Sequence, residues 1–290
     1  MADSKNRITW FGQVRVYLGK CFRLFVNEKQ WKNFITTLIL MVIIMAVTKD
    51  LFKDDFLTTK NGLFTVISGC IWVGLFNSIQ SICRERAIIK REYRTGMRLS
   101  AYVTAHAIYE VFLSAIEALI ILILLYIKYG ENIDGTGTVT NCFFDLYITF
   151  FLVIFAADTI AIFISSLVRK ENTAMTIMPF VLVIQLVMSG AIFPLNGGIS
   201  KAISNITASK WGLEAALRIA NSSAGMRSSY DYYQTPLEIG GAKISFNVPQ
   251  EVYSDRDKLL LAWGILLLSA VIFLIGSMLI LRLVDKDKRI

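Results

Sequence analysis

The sequence predicts an all-α integral membrane protein with six transmembrane helices, on three observations: an apolar composition, the gathering of apolar residues into six long blocks, and a one-sided distribution of basic residues. Of 290 residues, 55% are hydrophobic and 18% charged, against roughly 45–50% and 25% in a soluble globular domain. The apolar residues form uninterrupted blocks, unlike the short periodic stripes of a water-soluble core. These blocks fall at 33–52, 63–82, 101–127, 143–168, 173–195 and 259–284. At about 1.5 Å per residue, each is long enough for a hydrocarbon layer of roughly 30 Å. The first is the shortest, and its apolar centre from Phe34 to Val47 uses Trp31, Lys32 and Lys49 as headgroup anchors.

Basic residues set the orientation, because cytoplasmic segments retain Lys and Arg. With both termini inside, the segments 1–32, 83–100, 169–172 and 282–290 hold 19 basic and 7 acidic residues, and the outer segments hold 11 and 12. The formal charge of +8 is then accounted for by topology and by attraction to anionic inner-leaflet lipid, without nucleic acid. Cys21, Cys70, Cys83 and Cys142 are scattered and form no disulfide framework or metal-ligand motif. The charged stretch before the first block separates it from a cleavable secretory signal.

Four units follow along the chain. The cytoplasmic tail, 1–32, contains an amphipathic helix over 8–27, where Ile8, Phe11, Val14, Leu18, Phe22 and Phe25 recur at spacings of three and four. Spans one to five occupy 33–195 and enclose a charged cytoplasmic helix at 84–100, interrupted by Ile88, Ile89 and Tyr93. An outer loop at 196–258 is longer than a connection requires. Its first half reads as one or two helices dipping into the outer leaflet, with Trp211 at the interface, and its second half as a short hairpin around Ala242 to Phe246. The sixth span and a cytoplasmic tail fill 259–290.

Ionisable residues inside spans are costly and are functional candidates by default. His106, Glu110 and Glu117 share one face of the third span with Ser114, and Asp158 lies near the middle of the fourth. They form either a polar seam between helices or an ion path in a secondary transporter, and the seam is favoured because no repeated broken helices accompany them. An intramembrane hydrolase is excluded, since His106 is the only histidine and neither HExxH nor GxSxG occurs.

The stretch ICRERAIIKREYRTGMRLSAYVTAHAIYEV carries Glu85, Arg86, Arg91, Glu92, Gly96, Ser100, Ala101, Tyr102 and Glu110. After the fifth block, Trp211, Gly212, Glu214, Ala215 and Leu217 form a second motif. On these residues the chain resembles the transmembrane half of ABC exporters of the G subfamily and their bacterial type-2 relatives. It departs in lacking the usual Pro after the Glu, with Phe112 nearby, and in lacking cysteines in the outer loop, which points to a bacterial member.

The resemblance implies a connecting helix, re-entrant outer helices and a permease in the cytoplasmic membrane that works with two ATPase subunits and a second permease copy or homologue. No GxxxxGK[ST] loop occurs in the chain. ATP and Mg would therefore sit on the partner, with no cofactor on this chain. Arg15, Arg23, Glu85, Arg91 and Glu92 would couple the ATPase to the spans, with Arg15 or Arg23 opposite Glu92 and Arg91. Phe76, Asn77, Gln185 and Met188 would line the path of an amphipathic, lipid-like or peptide cargo.

Overall fold

The structure, a computed structural model, describes residues 9–48, 51–52, 56–133, 137–192, 198–220, 237–239, 242–244 and 255–283. Among these the chain forms ten helices and one strand pair. The helices are α1 Trp10–Asn27, α2 Lys32–Val47, α3 Phe56–Ser78, α4 Ser81–Arg94, α5 Leu99–Ile133, α6 Cys142–Leu167, α7 Glu171–Val187, α8 Gly198–Ser204, α9 Ala208–Ala220 and α10 Arg256–Leu281.

Four stretches are long and apolar enough to cross a membrane: Thr58–Arg94 through α3 and α4, Leu99–Gly130 in α5, then α6 and α10. A fifth is obtained if α1 and α2, bent by 68°, count as one. By length, then, the described helices supply four or five crossings where the sequence blocks give six. The shortfall lies in α2 and α7, of 16 and 17 residues. After α2, Thr48 turns to extended backbone with ψ 126°. After α7, Gly190 takes φ 75°, a left-handed conformation that commonly terminates helices.

Helix α6 is the hub. Most of its length is buried, and α3, α5, α9 and α10 pack around it. Gly74 allows α3 to approach it closely, since a Cβ there would lie 2.6 Å from the Ile154 carbonyl oxygen. Gly212 does the same for α9, where a Cβ would meet Val153 Cγ2 at 2.5 Å. Small residues at such crossings are how helices associate where no hydrophobic force drives them together.

The first half of the stretch read as an outer loop holds α8 and α9, and α9 is part of the bundle, with Leu213, Ala216, Leu217 and Ile219 buried. Farther on, β1 Leu237–Ile239 pairs antiparallel with β2 Ala242–Ile244, Leu237 opposite Ile244. Phe246 and most of the loop's second half lie outside the described residues.

On the outside of the bundle, α2, α7 and α10 expose Ile39, Ile43, Phe180, Leu268 and Ile272. An apolar face of that extent is foreign to a water-soluble monomer and suits a lipid boundary. Between the helices the interior is mainly apolar, with buried polar side chains such as Glu117 and Asp158 at particular crossings. This is a multi-pass membrane protein.

Candidate functional site

The ends of α1, α3, α4, α5 and α6 converge in one region. Helix α1 begins at Thr9, whose hydroxyl accepts the Gly12 N–H at 3.3 Å. Its apolar face lies along α5: Val14 packs with Ala101 and Ala105, and Cys21 with Tyr109 and Leu113.

A row of polar contacts then fastens α1 to α4 and to the turn before α5. Trp10 Nε1 donates to Ser100 Oγ at 3.1 Å. Gln13 donates to the Gly96 carbonyl at 3.3 Å and accepts the Arg98 N–H at 2.9 Å. Gly96 has φ 107°, a backbone that glycine adopts without the steric penalty a Cβ brings. Tyr17 OH donates to Glu92 Oε2 at 3.0 Å, Lys20 pairs with Glu85 at 2.8 Å, and Arg84 grips Glu28 through two 2.8 Å bonds. Glu85 also accepts Tyr102 OH at 2.8 Å.

Electrostatics follow from this packing. Burial first, then the bond and charge of Glu92, push the Tyr17 phenol above its ordinary range. The Cys21 thiol is pushed up to about 12, first by burial and then by the charges of Glu85 and Glu110.

Two predicted coupling residues are placed elsewhere. Arg15 is exposed, and Arg23 Nε donates to the Gly19 carbonyl of its own helix at 3.1 Å. The reason is rotation. At 3.6 residues per turn Arg15 and Arg23 lie about 160° and 120° round the helix from Tyr17, whereas Lys20 and Glu28 share its side. Glu85 and Glu92 do join α4 to α1, and Arg91 is exposed.

Helix α4 is also locked to the end of α6. Ser165 Oγ accepts the N–H groups of Ile82 and Cys83, both at 3.0 Å. In return Arg86 Nη1 donates to the carbonyls of Ser166 and Val168 at 2.7 and 3.0 Å. Each helix end thus satisfies backbone groups that the other leaves open.

The buried acids form a seam through the bundle. Asn77 Nδ2 lies 2.9 Å from both carboxylate oxygens of Glu117, which also accepts Thr37 Oγ1 at 3.3 Å. Asp158 accepts Ser78 at 2.9 Å and Ser114 at 2.8 Å. His106 Nε2 faces Cys21 Sγ at 3.9 Å. His106, Glu110 and Glu117 therefore share a side of α5, as their spacing predicts, yet His106 and Glu117 have different partners.

A cavity of about 630 Å³ opens between α1, α2, α3, α4 and α5. Phe76 and Asn77 line it, together with His106 and Glu110. The other two residues predicted to meet cargo are apart from it. Gln185 is buried and ties α7 to α9, its Oε1 accepting the Ser209 N–H at 3.3 Å and its carbonyl accepting Ser209 Oγ. Met188 closes α7, and its carbonyl accepts Thr207 Oγ1 at 3.5 Å.

Sequence reasoning missed Tyr17, Lys20, Glu28, Ser78 and Ser165. The period of α1 carries the signal for the first three, since they share the side that faces α4. Ser78 and Ser165 lie about 80 residues from their partners and leave no local signal.

Two comparisons with known proteins identify similar sequences. A family model described as "ABC-2 type transporter" matches residues 12–220. An ABC transporter ATP-binding/permease protein of Mycobacterium tuberculosis is 22% identical over 149 residues, or 51% of this chain and 17% of the relative. The match thus spans about one sixth of that relative's length.

Proposed function

The chain belongs to the ABC-2 type transporter family, and from that premise we propose that it is the permease subunit of an ATP-driven exporter in the cytoplasmic membrane of a bacterium, with both termini cytoplasmic. Two copies of an ABC ATPase subunit, carrying ATP and Mg, work beneath it, and a second permease copy or a homologue completes the pathway. Helices α2 and α7 complete a set of six crossings, their short apolar cores helped by flanking interfacial residues. Its cargo is amphipathic, lipid-like or peptide. The ion-coupled alternative through His106, Glu110 and Glu117 has no comparable support.

One observation carries the reading: α4 is fastened on one side to α1 through Tyr17–Glu92, Lys20–Glu85 and Glu28–Arg84, and on the other to the end of α6 through Ser165 and Arg86. A helix so held does not move alone. An ATPase closing on ATP displaces α4 with α1 and α6, and nucleotide shifts the bundle between two states in proportion to its differential affinity for them. Arg91 and the exposed side of α4 are the surface offered to that partner.

The test is purification in mild detergent with identification of every co-purifying chain, followed by an ATP hydrolysis assay. A stoichiometric ATPase subunit is the expected result, and a clean inactive oligomer in several detergents would overturn the reading. With the complex in hand, Glu92→Ala is expected to preserve assembly and abolish transport.

A further inference from the structure

We infer that the cavity between α1, α2, α3, α4 and α5 is a binding site for the headgroup of a bilayer lipid that carries a phosphodiester and a primary amine. Three independent features point to this ligand: unsatisfied polar atoms, an imbalance of charge, and an apolar exit.

Deep in the cavity, Glu110 is 2% and His106 7% exposed. Glu110 Oε2 and His106 Nδ1 have no hydrogen-bond partner. Both residues line the cavity and stand one turn apart on α5. Buried polar atoms without partners are uncommon in native structures and mark places where a water, ion or ligand completes the site. In the tautomer whose Nε2–H points at the Cys21 sulfur, Nδ1 presents a lone pair. An ammonium with three N–H donors serves that lone pair and the Glu110 carboxylate together. A quaternary ammonium has no N–H and cannot.

The charges lining the cavity sort themselves by pairing. Lys20 is taken by Glu85 and Arg84 by Glu28. Lys29 and Lys32 remain at the exposed rim, without an ion pair to any described carboxylate, and Glu110 remains at the bottom. Cations outside and a carboxyl inside complement a zwitterion that enters amine first and leaves its phosphate at the mouth. Lys29 holds φ 55°, a conformation that non-glycine residues seldom adopt and that the α1–α2 turn imposes. That turn places both lysines at the entrance.

The third feature selects a lipid over a soluble zwitterion. From Phe76 in the wall, the apolar surface continues to Trp72, whose ring stacks on that of Phe76 at 5.6 Å and 4°. Both are more than two-fifths exposed, and they sit on a predicted membrane-crossing helix. Acyl chains attached to a headgroup in the cavity have that surface to follow. The volume lies within the range of ordinary small-molecule pockets. The site is contained in one chain and does not depend on the export reading, so the absence of an ATPase from the purified complex would leave it standing.

The experiment uses the full chain in phosphatidylcholine nanodiscs doped with a photoactivatable phosphatidylethanolamine, with labelled peptides mapped by mass spectrometry. Parallel samples carry photoactivatable phosphatidylcholine or phosphatidylglycerol. The ethanolamine probe is expected to label the peptides around Lys29–Lys32 and Trp72–Phe76 about tenfold more than either other probe. Glu110→Gln and, separately, the paired Lys29→Ala, Lys32→Ala substitution are each expected to remove most of that excess. The lysine pair is on the exposed rim, so its effect is readable even if Glu110→Gln folds poorly. Equal labelling by all three probes, or labelling indifferent to the lysine pair, would overturn the site. Complete displacement by millimolar soluble phosphoethanolamine would overturn the lipid as its source.

Discussion

The hydroxyl of Ser165 on α6 stands 3.0 Å from the backbone nitrogen of Cys83 on α4, performing from another helix the service that an N-cap residue performs locally. Gln80, which precedes α4, makes no side-chain cap bond of its own, so the donors at the second and third positions of α4 rely on α6. Ser165→Ala is expected to cost about 1 kcal/mol, the usual loss of a helix cap. Thermal unfolding in detergent measures it, and Ser165→Thr, which keeps the hydroxyl, should recover most of the loss.

Gly74 sets a second, steric prediction. A Cβ at this position meets the Ile154 carbonyl oxygen at 2.6 Å and Ala157 Cβ at 2.8 Å, and the obstructing backbone cannot rotate aside. Gly74→Ala should destabilise the protein by about 1–3 kcal/mol, as overpacking does. Gly264→Ala, where a Cβ meets nothing within 4 Å, is the matched control and should be close to neutral in thermal unfolding.

Cys21 gives a pH prediction. Its thiol is pushed up to about 12 from an ordinary value of 9.0, so at pH 8 only about one molecule in ten thousand carries the reactive thiolate. A maleimide reagent should leave Cys21 unlabelled in the folded protein and label it after denaturation. The sign for stability follows from the raised value. The contribution of the neutral thiol is whole below about 9 and is lost as pH climbs toward 12. Cys21→Ser should flatten that part of the stability profile.

The Lys20–Glu85 pair tests how much the clamp between α1 and α4 holds by charge. Its side chains are 30% and 12% exposed, so screening keeps the interaction small. A double-mutant cycle with Lys20→Ala and Glu85→Gln should return a coupling energy of about 0.2–1 kcal/mol, falling with salt. On the proposed coupling of α4 to α1, transport in the assembled complex should fall further than stability does.

Much of this arrangement was legible in the chain. Long apolar runs mark α5, α6 and α10 to within a few residues, and the three-and-four spacing from Val14 through Phe25 marks α1. The contacts between elements were not. Arg15 and Arg23 were plausible partners for Glu92 only because a list of charges carries no rotation, and Tyr17, on the correct side, carries no charge to attract notice. The stretch of α9 reads as part of a helix dipping into the outer leaflet, not as part of the bundle. Its burial depends on Gly212 meeting Val153, residues 59 apart. Gln185 reads as a polar residue free for cargo, and the Ser209 that claims it lies beyond a turn and a further helix.

The seam of buried acids also bears on how the chain is built. Thr37 and Asn77, which hold Glu117, precede it in the sequence, and Ser78 and Ser114, which hold Asp158, precede that residue too. A ribosome therefore delivers Glu117 and Asp158 into the bilayer after their hydroxyl and amide partners. Neither Glu117 nor Asp158 waits in hydrocarbon for a partner helix not yet made. Truncated nascent chains ending between α5 and α6 should already be competent to fold around Glu117, while those lacking α3 should stall and be cleared by quality-control proteases.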